Sequence, residues 1–372
     1  IFTVMSRMAA ECAAVNLSQG FPDFQAEPVL FDAVHRHMRE GRNQYPPMAG
    51  MPELRQAISD KVAALYGTRF DVESEVTVTA GATQAIFTAV AAVVRPGDEV
   101  IVYEPVYASY VPAIETVGGK AVFAQLQFPD YTPDWAQVRA LITPKTRMVI
   151  INSPHNPTGS LLSAVDLDKL AELLRGTDII VLSDEVYEHI LFDGERHASV
   201  AGHPELAARS IVVSSFGKTY HITGWKIGYV LASTALMAEF RKVHQFNVFT
   251  VHTPSQLGLA EYMQDASRHL GLAKFYEEKR DFFRGLLAAT PFELLPCRGT
   301  YFQLARYSAI SDLPDRAFAE WMTRQIGVAV IPVSVFYADG RDDKVVRFCF
   351  AKKEETLLSA AERLGKLSET KK

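Results

Sequence analysis

Two lysines, Lys218 and Lys226, lie eight residues apart in the segment 214–229, which has few other charged side chains. Lys218 follows a β-branched run and a glycine, so it comes just after a predicted buried strand. A lysine placed there can attack a carbonyl carbon if its neighbours lower its pKa. Lys226 and Arg347 would supply the necessary positive charge, provided that they lie nearby. The segment therefore predicts a nucleophilic lysine.

Polar motifs occur where the predicted strands end. Apolar, β-branched runs predict strands at 75–80, 98–105, 147–152, 178–184, 210–216 and 228–232. The first five end in the motifs AGAT (80–83), YEPVY (103–107), NSPHNPTG (152–159), SDEVYEH (183–189) and SSFGK (214–218). In open α/β sheets, ligands bind at the carboxyl edge of the strands. We therefore expect one crevice to hold the side chains of Tyr107, Asn156, Asp184, Tyr187 and Lys218.

These side chains suit an aromatic ring that carries a nitrogen and an oxygen substituent. Asp184 can hold a protonated ring nitrogen. Tyr187 and Asn156 can each donate a hydrogen bond to an aromatic oxyanion. Tyr107 offers a flat face for stacking. Lys218 requires a carbonyl on the same ligand.

The turn after the first predicted strand suits a phosphate. Gly81, Ala82 and Thr83 lie between a strand and a helical pattern, where free backbone N–H groups favour an anion. Ser215 and Lys226 can add side-chain contacts. Because one ligand combines a carbonyl, a pyridine nitrogen, a phenolic oxygen and a phosphate, we predict pyridoxal 5′-phosphate as the cofactor.

The order of the predicted elements is typical of an α/β fold. Helical patterns at 83–94 and 163–175 alternate with the strands, and Ser163 and Asp166 are predicted to cap the second helix. Strands that are continuous apolar runs indicate a mostly parallel sheet flanked by helices on both faces.

The length of 372 residues predicts more than one domain. After about residue 265, helices and strands mix with short loops, which predicts a smaller α+β domain. We expect residues 1–30 to form an N-terminal segment that joins this small domain. Residues 31–265 would form the large cofactor-binding domain, and residues 266–372 the small C-terminal domain.

Composition argues against several classes of protein. The net charge is -5, so the chain lacks the basic surface of a nucleic-acid binder. The apolar run at 85–94 is too short to span a membrane, which needs about 20 residues. Cys12, Cys297 and Cys349 form no CxxC or Cys/His cluster. Their scatter predicts a reducing compartment, the cytoplasm, and no metal site.

Several long motifs, in order along nearly the whole chain, resemble those of the class I/II aminotransferases of fold-type I. They are NLSQGFPDF (16–24), QYPPMAGMPELR (44–55), NSPHNPTG, SDEVYEH and SSFGKTYHITGWKIGY (214–229). The sequence is most similar to the branch of bacterial methionine aminotransferases, close to kynurenine and glutamine transaminases. The resemblance implies a pyridoxal-phosphate-dependent transferase with a large and a small domain.

The resemblance also implies a role for each matching residue around the cofactor ring. Lys218 would bond covalently to the cofactor and carry the proton that leaves the substrate Cα. Asp184 would keep the pyridine nitrogen protonated. Tyr187 and Asn156 would bind the ring oxygen, and Tyr107 would stack on the ring.

For the phosphate, the resemblance implies contacts from Gly81, Ala82, Thr83, Ser215 and Lys226. Tyr45 would reach the cofactor from the partner subunit of a homodimer. Some relatives have an aromatic residue where this chain has Ala82, so one aromatic wall of the substrate pocket is left unassigned.

For the substrate, the resemblance implies that Arg347 clamps the α-carboxylate through paired hydrogen bonds, helped by Asn156 and the backbone of Gly20. Phe21 and Tyr301 would line the side-chain pocket. We see no further arginine placed for a second carboxylate. We therefore expect an uncharged apolar or sulfur-containing L-amino acid, methionine first, whose amino group passes to a 2-oxo acid by a ping-pong mechanism.

Other interpretations remain open. A kynurenine aminotransferase or a cysteine-conjugate β-lyase of the same fold would use the same lysine and aspartate. The effector domain of a transcription regulator would need a basic winged-helix segment before Asn16, for which this chain has no room. An inactive relative would be expected to have lost Lys218, Asp184 or Arg347. Three histidines near these motifs are interpreted as structural: His155, His189 and His221.

Overall fold

The structure is a computed structural model and describes residues 1–368. Its strands are β1 (Val15–Asn16), β2 (Val76–Thr79), β3 (Glu99–Glu104), β4 (Lys120–Gln127), β5 (Thr132–Pro133), β6 (Thr146–Asn152), β7 (Ile180–Asp184), β8 (Ser210–Ser215), β9 (Gly228–Ala232), β10 (Glu293–Leu294), β11 (Phe302–Arg306), β12 (Val328–Ala329), β13 (Ile331–Pro332) and β14 (Val345–Cys349).

The α-helices are α1 (Phe2–Glu11), α2 (Pro28–Arg39), α3 (Pro52–Tyr66), α4 (Gly81–Val93), α5 (Tyr110–Thr116), α6 (Trp135–Leu141), α7 (Ala164–Leu174), α8 (Phe216–Thr219), α9 (Thr234–Asn247), α10 (Thr253–Tyr262), α11 (Ser267–Leu270), α12 (Leu272–Leu287), α13 (Asp315–Trp321) and α14 (Glu354–Gly365). Ser163 and Asp166 form the predicted capping box at the start of α7. Within residues 1–368, none of the helices is both long and apolar enough to span a membrane.

Eight strands form the large sheet, in the order β2-β9-β8-β7-β6-β3-β4-β5. From β8 to β4, successive neighbours in this order are parallel. Strand β9 runs antiparallel to both β8 and β2, and β5 runs antiparallel to β4. The predicted α/β fold with a mostly parallel sheet is confirmed.

Helices cover both faces of this sheet because its strands alternate between two apolar cores. Along β3, Val100 and Val102 pack in the core that includes Ala89 of α4. Ile101, between them, packs in the opposite and larger core. A strand turns successive side chains to opposite faces, so a sheet buried on both sides has strands that are apolar throughout. This is why six of its strands are visible as apolar runs in the sequence.

Strand β4 is one that the apolar runs do not predict. Most of its residues are partly or fully exposed, and only Ala124 and Leu126 are buried. It lies next to the short edge strand β5, where the covering layers are incomplete. A half-covered strand has no continuous apolar pattern.

The N-terminal segment pairs with the C-terminal part of the chain. Strand β1 is parallel to β12, with Val15 opposite Val328. A second small sheet has the antiparallel order β10-β11-β14-β13. Helix α13 continues into a π-helical turn at Met322–Ile326 before the chain reaches β12. These pairings join the first residues to the small sheets, while the exact domain limits stay a prediction.

A buried ion pair links the elements behind the carboxyl edge of the large sheet. Glu188, four residues after β7, accepts hydrogen bonds from Lys61 Nζ of α3 (2.6 Å) and from Ser214 Oγ of β8 (2.8 Å). Tyr229 OH of β9 and Tyr66 OH donate to the same carboxylate at 3.0 and 2.6 Å. The loop after β7 is thereby fixed to α3, β8 and β9.

We expect Lys61→Met to lower the free energy of unfolding by about 3–5 kcal/mol, because it leaves Glu188 as a buried charge without a countercharge. Lys242→Met is the matched control, since Lys242 forms a solvent-exposed ion pair with Glu239, and such pairs contribute about 0–1 kcal/mol. Urea denaturation of both variants measures the difference. Equal losses in the two variants would show that the buried pair does not stabilise the fold.

Candidate active site

A cavity of about 240 Å³ lies at the carboxyl edge of the large sheet. Most of the predicted site residues line it: Gly20, Phe21, Ala82, Thr83, Tyr107, Asn156, Asp184, Tyr187, Ser215, Lys218, Lys226 and Arg347. Three predicted residues, Tyr45, Gly81 and Tyr301, do not line it. Parallel strands end at one edge, and this brings together residues that are far apart in the sequence.

Lys218 lies in the short helix α8, directly after β8. Its Nζ donates hydrogen bonds to Tyr301 OH at 3.1 Å and to the Gly20 carbonyl oxygen at 3.4 Å. The pKa of Lys218 is lowered to about 8, mainly by burial, and the charges of Lys226 and Arg347 contribute to this lowering. The two cations act in the predicted direction, but burial is the larger cause. Lys218 therefore has a larger unprotonated fraction near neutral pH than an exposed lysine.

Asp184 is the last residue of β7, and its side chain is buried. Its Oδ2 accepts a hydrogen bond from Tyr110 OH at 2.7 Å, and its Oδ1 accepts one from the Val186 N–H at 3.3 Å. Burial raises the pKa of Asp184 to about 6, while these hydrogen bonds and Lys218 oppose the rise. No cationic side chain of residues 1–368 is hydrogen-bonded to this carboxylate. A protonated ring nitrogen would supply the missing charge.

Asn156 lines the cavity and is hydrogen-bonded to Arg347. Its Oδ1 accepts a hydrogen bond from Arg347 Nη1 at 2.8 Å, so its Nδ2 is left to donate to a ring oxygen. Tyr187, the second predicted donor, is buried, and its ring packs edge-on against Tyr301 with 5.2 Å between centroids. Burial raises the pKa of Tyr187 well above its usual range, so its hydroxyl stays protonated and can donate.

The turn before α4 forms an anion cradle. Gly81 has a φ of +76°, which favours glycine, and a Cβ added there would lie 3.3 Å from Lys226 Nζ. Within residues 1–368, no side chain caps the N-terminus of α4, so this turn offers N–H groups and the positive end of the helix dipole to an anion. A Cβ on Gly228 would lie 3.3 Å from Ala82 N and 2.5 Å from Ser214 O. The cradle, the buried carboxylate and the reactive amine together fit pyridoxal phosphate.

Arg347 is a buried cation without a carboxylate partner among residues 1–368. It lies in β14 with 1% of its surface exposed. Its Nη1 donates to Asn156 Oδ1, its Nη2 donates to the Ser18 carbonyl oxygen at 3.1 Å, and its Nε has no partner within the described residues. Phe302 packs on its guanidinium, 3.9 Å from Cζ to the ring centroid. Burying a charge is costly unless it is paired, so an anionic ligand would stabilise this arginine.

Aromatic side chains that the sequence analysis missed form part of the cavity wall. Phe2 at the start of α1 and Phe302 in β11 both line it. Phe302 directly follows Tyr301, the residue that was predicted to line the side-chain pocket, so the predicted position was one residue away. Tyr301 lies behind the residues that line the cavity, and its hydroxyl donates a hydrogen bond to the carbonyl oxygen of Gly20 at 2.7 Å. Nothing in the local sequence signals Phe2. The other lining residues are Gln19, Ile86, Asn152, Val186 and Thr223.

Tyr45 lies outside this chain's cavity, with 84% of its surface exposed. Its ring packs edge-on against Phe249 with 5.6 Å between centroids. A role in the cofactor site would therefore require a second subunit, and the predicted contact across a dimer stays a prediction.

The three histidines interpreted as structural do not line the cavity. His155 is buried, its Nδ1 lies 2.8 Å from Thr158 Oγ1, and burial lowers its pKa to about 3. His189 Nε2 lies 3.2 Å from Lys61 Nζ in the buried network. The His221 ring packs edge-on against Phe24 at 4.8 Å between centroids.

Comparison with known proteins identifies a family. The family model for aminotransferase class I and II matches residues 13–364. A methionine aminotransferase of Escherichia coli (strain K12) is 50% identical over 368 residues, covering 99% of this chain and 95% of that protein. Kynurenine–oxoglutarate transaminase 1 of Homo sapiens is 33% identical, covering 97% of this chain and 94% of that protein.

A solved structure is similar over nearly its whole length. The crystal structure of YbdL from Escherichia coli, reported with a methionine aminotransferase function, has a TM-score of 0.97 to this chain and 50% sequence identity. The match covers 98% of this chain and 96% of that chain. It therefore extends over both the large sheet and the small sheets.

In the cofactor-free protein, we expect Lys218 to react with acetic anhydride with an apparent pKa of about 8, because burial disfavours its charged form. Competitive labelling followed by mass spectrometry measures this pKa. Lys226→Met should raise it, since a neighbouring positive charge is removed, whereas Lys226→Arg should leave it nearly unchanged. An apparent pKa of Lys218 near the usual lysine value of about 10.4 would contradict the prediction.

Proposed function

The chain belongs to the class I and II aminotransferases, and on this premise we propose that it moves the amino group of an apolar or sulfur-containing L-amino acid, methionine first, to a 2-oxo acid. It is a pyridoxal-phosphate-dependent transaminase. When bound, this cofactor supplies an aldehyde that bonds covalently to amines and a ring that withdraws electrons from the substrate Cα. Donor and acceptor would use the site in turn, in a ping-pong sequence.

One observation carries this proposal: Lys218 and Arg347 flank Gly20. Lys218 Nζ donates to the Gly20 carbonyl oxygen at 3.4 Å, and a Cβ added at Gly20 would lie 3.9 Å from Arg347 Nη2. An α-carboxylate bound by Arg347 would bring the neighbouring Cα toward Lys218. Lys218 Nζ would then accept the Cα proton as a general base, and its lowered pKa suits that task.

The remaining residues would hold the cofactor in place. We propose that Asp184 keeps the ring nitrogen protonated and that Tyr107 stacks on the ring. Tyr187 OH and Asn156 Nδ2 would donate hydrogen bonds to the ring oxygen. The phosphate would be held by the following residues: Gly81, Ala82, Thr83, Ser215 and Lys226.

The cavity wall favours an uncharged substrate side chain. Besides Arg347, the cationic side chains that line the cavity are Lys218 and Lys226, and both are assigned to the cofactor. Phe2, Phe21 and Phe302 supply apolar surface, and a thioether packs well against aromatic rings. The 50% identical methionine aminotransferase of E. coli also supports methionine as the first substrate to test.

We further propose a cytoplasmic homodimer in which Tyr45 reaches the cofactor of the partner subunit. Its exposure and its distance from this chain's own cavity support that assignment. The three cysteines are free thiols, which supports a reducing compartment. We also propose the division into three parts, residues 1–30, 31–265 and 266–372.

Sedimentation of the cofactor-loaded protein tests the homodimer. A species of 41.2 kDa, the mass of one chain, would exclude it.

The absorption spectrum of the cofactor-loaded protein tests the function directly. We expect a near-ultraviolet or visible band that shifts when L-methionine is added and returns when a 2-oxo acid is added. Lys218→Ala should abolish turnover while the protein still binds the cofactor non-covalently. Release of pyruvate and ammonia from a cysteine conjugate, with no new amino acid formed, would indicate a β-lyase instead. A band that ignores methionine but responds to kynurenine would change the substrate and keep the chemistry.

We expect Arg347→Lys to lower kcat/KM for methionine by about 10²-fold or more, because lysine cannot make the paired hydrogen bonds to a carboxylate. The cofactor spectrum should be retained, since Arg347 would contact the substrate. Arg324→Lys, in the π-helical turn away from the cavity, is the matched control and should leave kcat/KM unchanged. Equal kcat/KM values for the two variants would show that Arg347 does not bind the substrate.

A further inference from the structure

We propose that Tyr110 is a positioning residue: its hydroxyl holds the Asp184 carboxylate ionised and oriented, and so sets how firmly the site keeps the cofactor ring nitrogen protonated. This inference rests on the proposed function only for the role of Asp184 toward the cofactor. Tyr110 does not line the cavity, and neither the motifs nor the comparisons assign it a role.

The hydroxyl of Tyr110 lies in direct contact with the Asp184 carboxylate. Tyr110 begins α5, three residues after Tyr107, and its side chain is buried. Its OH donates to Asp184 Oδ2 at 2.7 Å. Its ring packs edge-on against the Tyr107 ring, with 5.5 Å between centroids. The short segment 107–110 therefore carries both the proposed stacking ring and the donor that holds the carboxylate.

Few other groups act on this carboxylate. The Val186 N–H donates to Oδ1 at the longer distance of 3.3 Å. Lys218 favours the ionised form of Asp184 from a distance, and Glu185 disfavours it. Glu185 is itself bound to Ser183 Oγ and His197 Nε2. Tyr110 thus supplies the one side-chain hydrogen bond that residues 1–368 make to the Asp184 carboxylate, while Asn152 Nδ2 donates to the Asp184 main-chain carbonyl oxygen.

The hydrogen bond acts in a buried environment, where its effect is large. Burial raises the pKa of Asp184 to about 6, and the Tyr110 hydrogen bond opposes that rise. Burial, and then the nearby Asp184 charge, raise the pKa of Tyr110 well above its usual range, so the phenol remains a donor at every working pH. The hydrogen bond to Oδ2 thereby fixes the orientation of the carboxylate.

The packing of Tyr110 can be separated from its hydroxyl. Its ring belongs to the apolar core with Ile86, Val106 and Ile114, and phenylalanine would keep those contacts. Tyr110→Phe therefore removes the donor and leaves the ring. Tyr103→Phe is the matched control, because Tyr103 is also buried but its hydroxyl has no partner within residues 1–368.

In the cofactor-free protein, ¹³C-aspartate NMR would follow the Asp184 carboxyl, assigned by its loss in Asp184→Asn. We expect Tyr110→Phe to raise the Asp184 pKa above that of the wild type, since the ionised form loses a donor, and Tyr103→Phe to leave it unchanged. Deuterium exchange of the Tyr110 hydroxyl should also shift the Asp184 signal in the unmodified protein. That second measurement does not depend on how the variant folds.

With pyridoxal 5′-phosphate added, Tyr110→Phe should weaken cofactor binding by about tenfold or more, the loss expected from one hydrogen bond to a charged group. The pH at which the cofactor spectrum changes should move, and kcat should fall with little change in KM for methionine. An unchanged Asp184 pKa and an unchanged cofactor dissociation constant would overturn the proposal. Because both are measured without turnover, they decide it even if methionine is not the substrate.

Discussion

Buried charge without a countercharge among residues 1–368 is the constraint on which this site depends. Lys61 and Glu188 show the alternative, since each buried charge has the other as its countercharge. At the carboxyl edge the pattern is different. Asp184 is bound by a phenol and a backbone N–H, and Arg347 by an amide and a carbonyl oxygen. These neutral partners satisfy the hydrogen-bonding atoms of Asp184 and Arg347 but not their charges. The charges are left for ligands to balance, so the side chains that would bind the ligands are also those that would act on them.

The sheet makes this arrangement possible because it fixes where each charge stands. Asp184 ends β7 and Lys218 follows β8, and the two strands are parallel neighbours. The antiparallel strand β9 enters from the opposite direction, and so Lys226, which precedes it, meets the turn at Gly81. Arg347 comes from a different sheet, and its hydrogen bond to Asn156 links it to the loop after β6. Asp184 and Arg347 thus lie within strands, and Lys218 and Lys226 lie close to the ends of strands.

Most of the fold and the centre of the site could be predicted from sequence because both leave local signals. Buried parallel strands are apolar throughout, and the polar residues that follow them stand out. Strand β4 lacks that pattern because it is half exposed. Phe2 was missed because long-range β1–β12 pairing brings the N-terminal segment to the cavity. Tyr110 was missed because its partner lies on another strand, and the role of Tyr45 depends on a second subunit.

The origin of the cavity wall has a consequence for how such an enzyme diversifies. On the proposed assignment, the α-carboxylate that every amino acid shares would be bound by Arg347 of β14, whereas part of the apolar wall comes from α1 and the loop after β1. A substitution at Phe21 would then alter side-chain selectivity through the wall, whereas the Phe2 ring also lies 5.5 Å from Arg347 Cζ, beside the proposed carboxylate site. A lineage could therefore broaden or narrow the range of amino acids that it accepts by substitutions in the loop after β1. The strands that carry Asp184 and Arg347 would not need to change.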